Sequence, residues 1–372
     1  MDGLKITIYD KAFQRRGWLG TPTEVTVTVG FNVVGSAEVT FPADHNRAAD
    51  ILAEGARMVI EHPGLDIPLL SGYVTEARGS GPAGSSSITV TVTDDLAVLW
   101  EVLGWQVPTA AISAQGTAEY RTYTGNAETI VKTMVTEQAI NRLGLPISVG
   151  VNLNRGAVVP GGVKVRMHPL ADRLFPAVEL AGLGVRCYQS GAGLVLDVYQ
   201  PATYPKALTE KSGVLRSWSW ASKGPTVTRV VGGGKGEGVA RTFRSAVDPT
   251  LESRFGKKVE VFADSRNGDT AAELDQSNSE VLFEGKPTNG FALELSETPH
   301  FRYGTVVVGD IVTIKVGALE RTDVLRAATI TWNKADGLTV QPSVGAIENS
   351  PDAKLAKAIR TLWRGLTNVK VR

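Results

Sequence analysis

The chain has 372 residues, too many for one ordinary core and suited to two to four domains. Hydrophobic residues make up 42% of it and charged residues 21%, a balance that excludes an intrinsically disordered chain. Thirty-nine basic against 38 acidic residues leave a formal charge of +1, which argues against a nucleic-acid binder, whose phosphate partner calls for a basic excess.

The N-terminus, Met1-Asp2-Gly3-Leu4-Lys5, passes straight into a strand pattern, without the basic start and apolar run of a signal peptide. Residues 4 to 100 read as short strands. Ile6–Tyr9, Val25–Val29, Ala37–Phe41, Arg57–Ile60 and Ile88–Val92 alternate apolar and polar residues, as half-buried antiparallel strands do. Gly79–Ser87 is a hairpin tip rich in Gly and Ser. Asp94 is placed to cap a short helix whose apolar face is Leu96, Leu99, Trp100 and Leu103.

From about residue 108 the texture becomes α+β. Gly125-Asn126 precedes a helical pattern through Ile130, Val131, Met134 and Val135. A second helix runs from Leu170 towards Ala181, where Pro176 is expected to end or kink it. Gly184–Tyr188 and Leu194–Tyr199 make a hairpin about Gly191-Ala192-Gly193. Strands return at Val227–Val231 and Lys258–Phe262, a helical stretch covers 269–284 with Leu274 and Leu282 inward, and further strands follow at Thr305–Val316 and Ala328–Val340. The last of these folds back at Ala335-Asp336-Gly337. Two β-rich parts around an α+β insert suggest paired small barrels or sandwiches. The final residues form an amphipathic helix pattern: Ser350 at the N-cap, Pro351 at the first helical position, and a stripe of Leu355, Ile359, Leu362, Trp363 and Leu366. That stripe is open to three readings: docking on its own domain or a sister copy, contact with another protein of the same assembly, or a membrane surface. No apolar stretch is long enough to span a bilayer, so no stable membrane insertion is expected.

Chemistry is hard to find. His45, His62, His168 and His300 have no metal-ligand spacing, and neither H-E-x-x-H nor paired C-x-x-C occurs. The single cysteine, Cys187, allows no disulfide within the chain and reads as a buried apolar residue, which fits assembly in a reducing cytoplasm. The run Gly232–Gly238 fails the G-x-G-x-x-G and P-loop patterns, and a turn with positive φ at several positions explains it better. Asp94-Asp95 is the obvious carboxylate pair for a glycosidase, but capping accounts for it; Glu260, Asp264 and Glu273 are no more than acidic residues. Trp218 and Trp220 share one face of a strand and suit packing, an interface or a sugar site. The expectation is therefore no catalytic, cofactor-binding or metal-ligating residues.

The segment Val230–Phe243, with Gly232-Gly233-Gly234-Lys235-Gly236-Glu237-Gly238 at its centre, resembles minor tail proteins of siphophages of actinobacteria. The resemblance continues through Arg254–Arg266, Tyr303-Gly304, Val308–Val312, Asp336-Gly337 and Pro342–Gly345, and upstream at Ile67–Val74 and Val92–Leu96. It covers about residues 5 to 345, although the three-glycine run departs slightly from the pattern. Such proteins are related to the trimeric baseplate hubs of contractile tails. The resemblance implies a mainly β fold with α+β portions: two tube-like β-barrel domains, an α+β insert and a C-terminal helix. The boundaries expected are 1–107, 108–222, 223–347 and 348–372.

The function implied is a structural hub at the tail tip: a trimeric ring around the DNA channel. Its implied partners are its own copies, the distal tail protein ring, the tape measure protein and other tip or receptor-binding proteins, with DNA only as passing cargo. The implied location is the virion, after assembly in the host bacterial cytoplasm. A tail-tip cell-wall hydrolase and a carbohydrate-binding receptor module are the alternatives. Arg241, Glu260 and Arg266 suit ion pairs within or between subunits as well as exposed surface charges.

Overall fold

In the computed structural model the described residues are 3–82, 84–212, 215–265, 271–295 and 303–345. Arg266, His300 and the C-terminal segment expected to be helical lie outside them. The chain divides into two compact units, one of Met1–Trp218 with Leu293–Val344 and one of Ser219–Ala292.

The first seven strands of the first unit are β1 (Lys5–Tyr9), β2 (Arg15–Trp18), β3 (Glu24–Gly30), β4 (Val33–Pro42), β5 (Arg57–Glu61), β6 (Leu70–Ser80) and β7 (Ser87–Asp94). Helices α1 (Ala127–Val135) and α2 (Leu170–Leu180) follow, then the hairpin β8 (Gly184–Ser190) and β9 (Gly193–Tyr199). The second unit holds β10 (Arg229–Gly233), β11 (Phe243–Val247), α3 (Pro249–Phe255), β12 (Glu260–Asp264) and α4 (Ala271–Glu284). The chain then completes the first unit with β13 (Ile311–Val316), β14 (Leu319–Asn333) and β15 (Gly337–Gly345).

Strand pairing in the first unit follows the order β15-β14-β3-β4-β7-β6-β5-β1-β2, antiparallel throughout, so strands from both ends of the sequence share one sheet. Alternation decides its faces. Val25, Val27, Val39, Phe41, Val90 and Val92 are buried on one side, while Thr40 pairs with Thr89 and Thr75 with Thr93 on the other. Among the described residues no ladder closes this sheet, so the expected tubes are not hydrogen-bonded barrels. The sheet nevertheless curls enough to bring strands that are not neighbours together: a Cβ built on Gly3, just before β1, would lie 3.3 Å from the Leu338 side chain on β15. The apolar sides of β1, β3, β4, β5, β7 and β14 meet in one core. A second limb grows from the long strand β14, which also pairs with β13, itself parallel to the short strand Leu208–Thr209.

Curvature needs room at β6, which pairs with β5 through Leu70–Tyr73 and with β7 through Gly72–Ser80, with a register shift after Val74. Gly72 makes the crossing possible, because any Cβ there would sit 1.7 Å from the Thr93 carbonyl oxygen.

The α+β part has its own core, in which α1 and α2 pack through Ile130, Met134, Leu174 and Val178 against Val185 and Leu196 of the hairpin. Pro176 does not end α2, which runs on to Leu180. Pro176 and Asp172 are both exposed, so the carbonyl that loses its helical donor faces water.

In the second unit β10 is central, antiparallel to β11 and parallel to β12. Helix α3 carries its stop and start signals in full: Asp248 accepts from the Leu251 N–H at 3.0 Å, Pro249 opens the helix, and Gly256 closes it at φ +60°. No helix among the described residues is long and apolar enough to cross a membrane.

Candidate assembly surfaces

The residues with chemical potential are either spent on structure or scattered. His45 Nδ1 accepts from the Arg47 N–H and His62 Nδ1 from the Gly64 N–H. His168 lies 2.7 Å from Arg173; burial, then the charges of Arg173 and Arg166, push its pKa down to about 4, leaving it neutral. No group of three or more His, Cys, Asp or Glu side chains suited to a metal ion occurs among the described residues. Cys187 is buried, and burial followed by the charges of Asp95 and Asp94 pushes its thiol well up, away from the reactive thiolate.

Asp94 and Asp95 stand at the strand-to-helix junction, and Asp94 caps it by accepting from the Leu96 N–H at 3.0 Å. Asp95 does something the sequence pattern does not reveal. It is buried and takes both of its oxygens to Arg57 Nη2, at 2.8 and 2.7 Å, and a third bond from Ser71 Oγ at 2.6 Å. Arg57 Nε donates to Gln189 Oε1 at 3.0 Å, and the Gln189 N–H donates to Ser71 Oγ at 2.8 Å. The Arg57 guanidinium lies 4.6 Å from the Phe13 ring centroid and 4.3 Å from that of Tyr73. This polar joint ties β5 and β6 of the curled sheet to β8 of the α+β part.

Burial and the neighbouring Asp95 charge push the Asp94 carboxyl up to about 7, against the pull of the Leu96 and Gly35 N–H groups. Such a value suits a general acid, but Asp94 is not among the residues that line the groove on the neighbouring strands. The groove of about 310 Å³ on the outer side of β1, β2 and β5 is lined by residues including Tyr9, Arg15, Trp18 and Gln189. Its one carboxylate, Glu61, is bound to Lys5 at 2.5 Å. A glycosidase needs two facing carboxylates, and this groove has one.

The glycine run of the second unit has two different causes. Gly236 and Gly238 adopt φ +103° and +55°, as a turn demands. Gly232, Gly233 and Gly234 do not, so the positive φ expected at several positions of the run is found at two of them. Each of the three instead lies under a packed side chain: a Cβ would come within 2.3 Å of Asn278 at Gly232, 2.6 Å of Phe262 at Gly233 and 2.7 Å of Leu274 at Gly234. At Gly232 and Gly234 one face of the β11-β10-β12 sheet is thereby covered by α4, while Gly233 lies under Phe262 on the other. The opposite face carries Phe243 and Phe262, both more than half exposed, with the Arg241 guanidinium beside both rings and ion-paired to Asp264 at 2.5 Å. Arg241 thus makes its ion pair within the subunit, while Glu260 is exposed. Trp218 and Trp220 are also exposed on their strand, and Trp218 Nε1 donates to Glu210 at 2.9 Å. These surfaces carry apolar tips beside paired charges.

Residues 5–346 match the family described as Siphovirus ReqiPepy6 Gp37-like protein. The chain belongs to this family of siphovirus tail proteins. Several solved structures share its fold. One is the 43 kDa tail protein of prophage MuSo2 from Shewanella oneidensis, 12% identical over 92% of this chain and 98% of that one, with a TM-score of 0.57. A tail protein from Neisseria meningitidis MC58 is 11% identical over 93% and 97%, with a TM-score of 0.55. Prophage tail protein gp18 from Listeria monocytogenes EGD-e is 11% identical over 96% and 99%, also at 0.55. At such identities the likeness is one of fold, and it extends over nearly the whole of both chains. No curated protein matches the sequence.

Proposed function

We propose that this siphovirus tail protein is a structural hub subunit of the tail tip, without chemistry of its own, and that three copies form a ring around the DNA channel. The observation that carries the reading is the family match over residues 5–346, supported by a fold shared end to end with prophage tail proteins. In this reading the curled sheet and the second limb built on β13 and β14 supply the two tube-like modules of each subunit. Six such modules then adapt a sixfold tube to a threefold tip. The four-part division at residues 107, 222 and 347 belongs to the same proposal. So do the partners: the distal tail protein ring above, the tape measure protein within, and receptor-binding or other tip proteins below, with DNA passing through.

Quantitative mass spectrometry of purified virions tests this reading. Three copies per particle, in a tail-tip fraction free of major tail tube protein, are expected. A copy number tracking the tube protein, or absence from virions, would refute it. A purified chain that cleared host cell wall, and lost that activity on Glu61→Gln, would favour the hydrolase instead.

A further inference from the structure

The groove on the outer side of β1, β2 and β5 is built from two parts of the fold. Most of its lining comes from the curled sheet, and Gln189 and Gly191 reach it from the β8-β9 hairpin. At about 310 Å³ it lies at the small end of ligand sites, a size for one or two small rings and not for a folded partner.

Gln189 is the residue that the fold leaves unfinished. It is 5% exposed, and its Oε1 is committed to Arg57 Nε at 3.0 Å. That bond settles which way the amide points, because a guanidinium can only donate. Nε2 is therefore the end still to be satisfied, and it has no hydrogen-bond partner among the described residues. A buried donor left unpaired is costly and uncommon. Gln189 lines the groove, so an acceptor oxygen entering there supplies what its amide lacks.

Trp18 on β2 is a second, independent feature of the same groove. Its ring is 57% exposed, yet it is held: the Arg15 guanidinium stands over it, 4.6 Å from the centroid. One face of the indole is thereby occupied and the other is offered to a ligand. Charge then narrows the ligand class. Lys5 and Glu61 neutralise each other at 2.5 Å, which leaves Arg15 as the one lining charge without an ion pair among the described residues. A strongly ionic ligand finds no matching set of charges here, and an apolar one would leave Gln189 unsatisfied. An uncharged molecule with an apolar ring face and many hydroxyls suits both, since a hydroxyl accepts from an amide or guanidinium and donates to a carboxylate. We propose that this groove binds a neutral sugar, one ring face on Trp18 and a hydroxyl oxygen on Gln189 Nε2. With one carboxylate it holds the sugar and does not cleave it. Neither Trp218 nor Trp220 lines it, and the hub reading does not require it.

The test is isothermal titration calorimetry of the full chain with glucose, galactose, mannose and N-acetylglucosamine, each as the free sugar and as its trisaccharide. At least one is expected to bind. Trp18→Ala should weaken that binding about tenfold or more. Gln189→Glu keeps an acceptor for Arg57 but removes the donor, so it should weaken binding similarly with the melting temperature undiminished. Trp218→Ala should leave binding intact. Tighter binding of the trisaccharide would identify a polysaccharide as the source, and equal affinities the free sugar. Binding to none of these sugars, or binding that Trp18→Ala and Gln189→Glu leave unchanged, would overturn the inference. Binding of tri-alanine in place of any sugar would overturn it too, and would give the groove to an extended polypeptide. None of these results bears on the ring, which copy number in virions decides.

Discussion

Arg57 and Asp95 show how a single pair shapes the subunit. Both are fully enclosed, and Asp95 answers Arg57 and Ser71 with three hydrogen bonds. Removing one member strands the other charge in a dry joint. Asp95→Ala should therefore lower stability by about 3–5 kcal/mol, measured by urea unfolding; a loss below about 1 kcal/mol, the range of an exposed pair, would show that the joint is not desolvated. Asp94 makes a second prediction. Its pKa rises from the ordinary carboxylate range to about 7 on folding, so between those values the native state holds a proton that the unfolded state releases. Stability from this group is full at low pH and is lost as pH climbs through about 7. Melting curves of the wild type and Asp94→Asn across that window should diverge, the variant showing the flatter dependence. Parallel curves would exclude the buried carboxyl as their cause.

At the scale of elements, period-2 alternation made β1, β3, β4, β5 and β7 legible, and the Ala335-Asp336-Gly337 turn joins β14 to β15 as the sequence pattern requires: Asn333 Oδ1 accepts from both the Ala335 and Asp336 N–H groups. Helix α3 was missed although Asp248, Pro249 and Gly256 mark its ends, because its apolar residues are too few to make a periodic stripe. The strand expected from Thr305 starts only at Ile311, since Gly309 turns the chain at φ +100°. The three-glycine run misled for a different reason: sequence reports that a side chain is absent, but not whether backbone conformation or a packed neighbour forbids it. Gly232→Ala separates the two. The new methyl meets the buried Asn278 amide at 2.3 Å, so the β11-β10-β12 sheet should lose about 1–3 kcal/mol. Hydrogen exchange should quicken in residues 229–233 and 260–264 and stay unchanged in β3 and β4. Unchanged exchange throughout would mean that α4 moves aside freely.

At the scale of the whole molecule, the family and the mainly β character were readable from ordered blocks and alternation spread over most of the chain, but the pairing of the strands was not. Local patterns placed strands correctly; they carry no record that β14, some 300 residues along, pairs with β3, because partner choice in a sheet is set by long-range burial. The candidate surfaces were hidden for the same reason. Glu128 and Lys132 look like ordinary surface charges in sequence, and their burial beneath the 151–158 loop emerges only from the packing of α1.

The proposed ring stands or falls on how many copies meet around a passage. Electron cryomicroscopy of the intact tail tip measures this directly. Three copies should encircle a central channel, their β modules lining it. A single copy, or copies arranged with no channel between them, would contradict the account.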